Sequence, residues 1–280
     1  MWGKSILFLL FLMPFSFCKE KVENQFSTDS LSQENTDREH TIILTTLDWQ
    51  PYIGQDLRDY GYVYQLVKEV YESKGYKVQI QFYPWARTMN KASSGEADGY
   101  FPEYYNEELA KNFYFSLPYP GGPAGFYGRK DIRYEFKTQY DMKDFTALIP
   151  YSIGVVRGYT NTKYFDEAKY LKKQETVDDL SNLKKLYYNR VQLIFIDPNV
   201  ARYLILNYLL ERYPDFFNRT YFLEPELEYK YLYVCINKKV PLAKKKIIDF
   251  NEGLKEFQKT GRLKQILYQG GFNDKGIWKP

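Results

Sequence analysis

The chain is poor in several residue types that carry chemistry. It has one His and two Cys among 280 residues. That scarcity excludes a His-rich zinc site and a Ser-His-Asp triad. Two Cys are too few for a disulfide framework. Neither a Walker loop nor a G-x-G-x-x-G step is present. Asp141, Asp144 and Asp178-Asp179 lack the spacing and glycine of an EF-hand loop, so no calcium site is read. An excess of one charge is also missing: 39 Lys and Arg against 35 Asp and Glu leave a formal +4. A dedicated nucleic-acid binder would cluster its basic residues in a stripe, so that class is excluded. No cofactor or metal is expected.

Aromatic residues, by contrast, are abundant at 19%, with 29 Tyr and 20 Phe. A disordered chain does not carry such a load. The length suffices for one large domain or two modest ones, with a sizeable core.

The first segment reads as a signal peptide over residues 1–18. Lys4 precedes an apolar run from Ile6 to Phe17, broken by Pro14 and Ser16. This fits a secretory apolar region and is shorter than the roughly 20 residues a spanning helix needs. Cys18 at its end resembles the lipid-modified cysteine of bacterial lipoproteins, although the bulky Phe17 departs from their small-residue pattern. Ordinary signal-peptidase cleavage near Ser16–Cys18 is the other reading. Residues 19–40 are polar, with Phe26 the sole aromatic, and read as a flexible linker. Export is expected, with membrane contact only through the signal or a lipid anchor.

The body alternates strands and helices, beginning with a strand at Ile42-Ile43-Leu44. Tyr62 to Ser73 places Tyr62, Val63, Leu66, Val67, Val70 and Tyr71 on one helical face. Val78, Ile80 and Phe82 alternate as a strand, Trp85 to Ser94 forms a helix stopped by Gly95, and Ala97 to Phe101 is a strand. This βαβαβ order implies a parallel sheet with helices on its faces. The pattern restarts with a strand at Ser152–Val156 and a helix from Thr176 to Tyr188. A strand at Val191–Ile196 and a helix from Asp197-Pro198 to about Arg212 follow. A strand at Tyr229–Ile236 precedes two closing helices, about Pro241–Lys259 and Arg262–Gln269, separated by Gly261. Gly121-Gly122-Pro123 reads as a turn, Lys244-Lys245-Lys246 as a solvated basic face, and Cys235 as a buried thiol.

The ordered motifs resemble the bacterial extracytoplasmic solute-binding proteins of family 3, the polar amino-acid type. The residues that carry this are Trp49-Gln50-Pro51-Tyr52, Gly95-Glu96-Ala97-Asp98-Gly99 and Phe115-Ser116-Leu117-Pro118-Tyr119. Ile153 to Thr160 and Asn251 to Tyr268 add to them, and the resemblance runs from about Thr41 to Gly271. It implies an α/β, two-lobed periplasmic-binding-protein fold of type II. Each lobe would be a mainly parallel sheet flanked by helices, and two crossing strands would join them. Lobe 1 would comprise 41–127 plus 234–280, and lobe 2 128–233, with crossings near Phe126–Lys130 and Tyr231–Cys235. Hinge closure would bury a ligand between them.

The resemblance also points to site residues. Amino-acid-binding members place an Arg fork for the ligand carboxylate where this chain has Leu109, so an ordinary α-amino acid is not a simple expectation. Arg87 is the substitute candidate, a planar five-donor fork at the start of a helix. Its alternative is a surface Arg paired with an acid such as Glu103. Asp197 matches the family's amine-binding acid, and it also suits a helix N-cap before Pro198. Gly158 and Thr160 lie in a strand-to-helix turn, read either as an anion-attracting N-terminus or as a plain capped turn. Trp49, Tyr52, Trp85 and Tyr100 are candidates for stacking on a ligand, with core or surface rings as the other reading, and Glu103 is read either as holding a ligand cation or as a solvated loop acid.

The expected function is an exported, monomeric, non-enzymatic protein that closes on a small polar solute and hands it to ABC permease subunits. Two other classes stay open. One is a same-fold exported enzyme of the cyclohexadienyl dehydratase type, with Glu103 or Asp197 as acid or base. The other is a sensing module for a membrane receptor.

Overall fold

Helical periodicity sets the first layer. The computed structural model describes residue 2 and residues 40–279. The signal reading of 1–18 with Cys18, and the linker reading of 19–40, lie outside the described residues apart from Trp2 and His40. Helix α1 (Tyr62–Ser73) buries Tyr62, Val63, Leu66, Val67, Val70 and Tyr71, the face its spacing foretold. Fully burying a side chain such as Leu66 stabilises the fold by roughly 1.5–3 kcal/mol. Helix α2 (Trp85–Ser94) buries Trp85, Thr88 and Ala92, and Gly95 ends it in the left-handed conformation.

Strands β1 (Thr41–Thr46), β2 (Lys77–Phe82) and β3 (Gly99–Glu103) form the parallel part of the first lobe, with β1 in the centre. The second lobe carries β6 (Ser152–Val156), β7 (Lys172–Thr176) and β8 (Leu193–Ile196), parallel about β6. Two long strands connect them: β5 (Tyr119–Arg129) and β10 (Glu228–Asn237), antiparallel to one another. The whole sheet runs β2-β1-β3-β10-β5-β8-β6-β7, with β4 (Phe113–Phe115) on β10 and β9 (Thr220–Phe222) on β5. The two crossing strands pair over Tyr119–Ala124 and Leu232–Glu228, earlier in both strands than the crossing expected from sequence. Two cores result: a larger one that runs through both halves of the sheet, from Ile42 and Val67 to Leu183 and Phe216, and a smaller one within the second half around Phe126, Ile153 and Phe195.

Several elements differ from the sequence reading. Gly121-Gly122-Pro123 is not a turn but part of β5. The glycines are needed because other atoms come close: a Cβ on Gly121 would sit 2.2 Å from the Lys230 carbonyl oxygen. The basic run is only partly solvated, since Lys246 is buried and pairs with Asp98 at 2.5 Å. Helix α3 (Lys163–Glu167) starts after Thr162, so Thr160 does not cap it. The Asn161 N–H in this turn donates to Asp166 Oδ2 at 2.8 Å. Helix α4 (Asp179–Tyr187) has Asp178 as its cap, accepting from the Ser181 N–H. Helix α5 (Pro198–Leu204) passes into a wider π-helical turn at Ile205–Leu209, short of Arg212. Helices α6 (Phe216–Arg219), α7 (Ala243–Thr260) and α8 (Arg262–Gln269) complete the described fold. Cys235 is a buried free thiol. Among the described residues no helix is long and apolar enough to cross a membrane.

Candidate functional site

The strand ends of both lobes face one another across a cavity of ≈ 50 Å³. A single water needs about 10–15 Å³ of such space, so the lobes must part to admit anything beyond a few heavy atoms. The position fits the rule that α/β sheets bind ligands beyond the carboxyl ends of their strands.

Aromatic rings make the walls. Trp49 follows β1 and stacks on Tyr52, ring centroids 4.5 Å apart and planes 16° apart. Tyr104 meets the same indole edge-on at 6.0 Å. Trp85, at the start of α2, is edge-on to Tyr159 at 5.8 Å. Its Nε1–H donates to the Gly158 carbonyl at 2.9 Å, a bond between the lobes.

Three carboxylates line the same cavity: Glu103, Asp179 and Asp197. Glu103 ends β3, whose five residues are all buried. Its Oε1 accepts from the Tyr104 N–H at 2.8 Å and its Oε2 from the Tyr100 hydroxyl at 3.1 Å. Asp197 precedes Pro198 at the start of α5, and its Oδ1 accepts from the N–H groups of Asn199 and Val200 at 2.6 and 3.3 Å. Its Oδ2 accepts from the Tyr52 hydroxyl of the other lobe at 2.7 Å. Asp179 sits in the first turn of α4 with the Trp49 and Tyr159 side chains as hydrogen-bonding neighbours.

Burial dominates the electrostatics. It pushes each of the three acids up to about 7, against the opposing pull of their hydrogen bonds and, at Glu103, of the Lys230 charge. The negative charges of Asp178 and Asp197 add to the rise at Asp179. No Lys, Arg or His is among the residues lining the cavity. Lys230 is buried beside it, but its Nζ is committed to the Asn161 carbonyl at 2.8 Å and to Glu228 at 2.9 Å. Among the described residues no group of His, Cys, Asp and Glu is arranged to hold a metal ion.

Of the residues singled out from sequence, Trp49, Trp85, Glu103, Thr160 and Asp197 line the cavity. Tyr52 and Tyr100 stand behind it, each bonded to one of its acids. Gly158 contributes its carbonyl to Trp85. Asp197 caps α5 and also lines the cavity. Arg87 is not brought to the cavity. It lies two residues, or about 200° of helix, from the buried Trp85 and is exposed over the Tyr83 ring at 4.7 Å. Glu103, its suggested alternative partner, is buried elsewhere. Leu109 lies on a single 3-10 turn, Leu109–Lys111, away from the lining. Sequence reasoning missed Tyr104, Tyr159, Asn161 and Asp179. The last follows directly on Asp178, which already caps α4, and a second carboxylate beside a sufficient cap is the signal that could have found it.

The chain matches the family model of bacterial extracellular solute-binding proteins, family 3, over residues 42–269. No curated protein matches it. Among solved structures it is similar to a histidine kinase sensor domain with similarity to periplasmic binding proteins: 18% identity, TM-score 0.70, covering 87% of this chain and 100% of that one. It is also similar to a mutant of ArgBP from T. maritima, at 17% identity and TM-score 0.66, covering 84% and 97%. An amino acid ABC transporter substrate-binding protein from Streptococcus pneumoniae, bound to L-arginine, gives 14% identity and TM-score 0.64, covering 85% and 96%. At these identities the structural likeness establishes the type II binding-protein fold, and with the family match over most of its length the chain belongs to family 3 of the bacterial extracellular solute-binding proteins.

Proposed function

We propose that this protein captures a small organic cation, an amine or guanidinium compound, between its lobes and delivers it to an ABC permease. The carrying observation is the cavity lining: three buried carboxylates, aromatic walls and no basic side chain. A cation would replace the protons that burial holds on these acids. The Trp49 and Trp85 rings would contribute roughly 0.5–2 kcal/mol each by cation–π attraction. With no basic side chain lining the cavity and Arg87 outside it, the cationic end of the solute is what the site reads. The protein works outside the cytoplasm as a monomer, held at the membrane at most through Cys18, and performs no covalent chemistry.

A thermal-shift scan tests this with matched pairs: agmatine against arginine, and cadaverine against lysine. A ligand at a hundredfold excess over its Kd adds about 2.7 kcal/mol of stability. Agmatine and cadaverine are expected to stabilise at least as well as their carboxylated parents. Stabilisation only by anions such as prephenate would overturn the reading and favour the dehydratase class. A sensing role is the second reading, supported by the likeness to a histidine kinase sensor domain. Isolation of the protein with a permease rather than with a receptor kinase would separate the two.

A further inference from the structure

The chain continues past the family-matched span, which ends at residue 269, into a short looped segment, residues 271–279. This segment touches both lobes. Phe272 is buried against Tyr52 and Tyr62, with centroids 4.9 and 4.8 Å away. Trp278 returns antiparallel to Phe272 and packs on Tyr203 of α5 at 5.3 Å. Between them the Asn199 side chain of α5 binds the loop's backbone from outside. Its Oδ1 accepts from the Trp278 N–H at 3.0 Å, and its Nδ2 donates to the Gly276 carbonyl at 2.9 Å. The same Nδ2 donates to the Tyr52 hydroxyl at 2.8 Å, and that hydroxyl donates to Asp197.

We propose that residues 271–279 are a C-terminal strap that positions the Asp197 carboxylate, acting through Asn199 and Tyr52 on the closed cleft. The strap fixes the Asn199 amide from outside. The amide orients the Tyr52 hydroxyl, and the hydroxyl holds Oδ2 while the α5 amides hold Oδ1. Trp278 on Tyr203 ties the first lobe's closing segment to the second lobe, so undocking the strap loosens the acid and the closed arrangement together. Asn199 and the strap are positioning elements that need not touch the solute. The inference takes Asp197 as a cleft acid, as proposed above, but its test needs no ligand.

Hydrogen exchange of the ligand-free protein reads it directly. Trp278→Ala removes the docked ring. Gly276→Ala displaces the loop differently, since a Cβ there would sit 2.3 Å from the Tyr229 hydroxyl and 2.4 Å from the Gly121 carbonyl. Both variants are expected to lower protection of the Asn199 and Val200 amides at least tenfold while leaving Val67 and Val70 of α1 unchanged. Trp278→Phe, which keeps a ring on Tyr203, should restore most of the protection. Protection at 199–200 unchanged in both variants would overturn the proposal. So would an equal loss across α1, because the segment would then only be packing the core. A failure of the cation scan with this pattern intact would leave the strap standing.

Discussion

The Tyr52 hydroxyl donates to Asp197 Oδ2 at 2.7 Å, and the bond runs from one lobe to the other. It gives a buried acid a partner in the shut state, where an unpartnered carboxylate would be costly. It also links a cavity-lining acid of one lobe directly to a side chain of the other. A carboxylate has several lone-pair sites, so Asp197 can cap α5, accept from Tyr52 and still receive a ligand donor.

Asp197→Asn should therefore separate binding from folding. Asn caps helices about as well as Asp, so the melting temperature should stay within a few degrees. The charge-assisted bond to a cation is lost, an effect of roughly 1.5–3 kcal/mol, or on the order of 10- to 100-fold in Kd. Calorimetric titration of the best cation from the scan checks this. An affinity within twofold of the parent protein would count against the assignment.

The pH dependence follows from the raised acids. Glu103, Asp179 and Asp197 lie near 7 in the folded protein, above their ordinary values of 4.5, 3.8 and 3.8. Between about pH 4 and 7 the folded state holds more protons than the unfolded state, so ligand-free stability falls as pH rises through that window. Cation affinity moves the opposite way, rising from pH 5 and levelling above about 7. Melting curves with and without ligand across this range read both trends, and parallel flat profiles would refute them.

Gly122→Ala should disable the cleft without changing any charge. A Cβ there would lie 2.0 Å from the Tyr52 hydroxyl, 2.5 Å from Asp197 Oδ2 and 2.9 Å from Asn199 Nδ2. All three belong to one hydrogen-bonded cluster, so none can yield alone. The expected outcome is a loss of about 1–3 kcal/mol of stability from overpacking and at least tenfold weaker binding, read by melting and titration together.

Arg87→Ala should change affinity less than twofold. The guanidinium lies over Tyr83 on the exposed face of α2, outside the cavity. A large loss of binding in this variant would restore Arg87 as an anchor and imply that the lobes close differently around the solute.

Helices α1, α2 and α8 and strand β6 were legible in the sequence to the residue, because apolar spacing and Gly caps act locally. Strand β5 was not, because its Tyr-Pro-Gly-Gly-Pro-Ala-Gly run obeys long-range demands: the close approach of β10 and of the Tyr52 hydroxyl. The site divides in the same way. Motif position selected Trp49, Trp85, Glu103 and Asp197, whereas Asp179 was hidden behind the cap made by its neighbour Asp178. Arg87 misled because its residue type suits a carboxylate, and only the helical phase from Trp85 shows that it faces solvent.

The most direct test of the central claim is the number of protons released when a cation binds, measured by titration calorimetry at pH 6 in two buffers of different ionisation enthalpy. The account predicts net release at pH 6, as the cation displaces protons from Glu103, Asp179 and Asp197, and a release near zero at pH 8.5. Proton uptake, or no exchange at either pH for a solute that binds, would contradict a cleft that recognises its ligand through these buried acids.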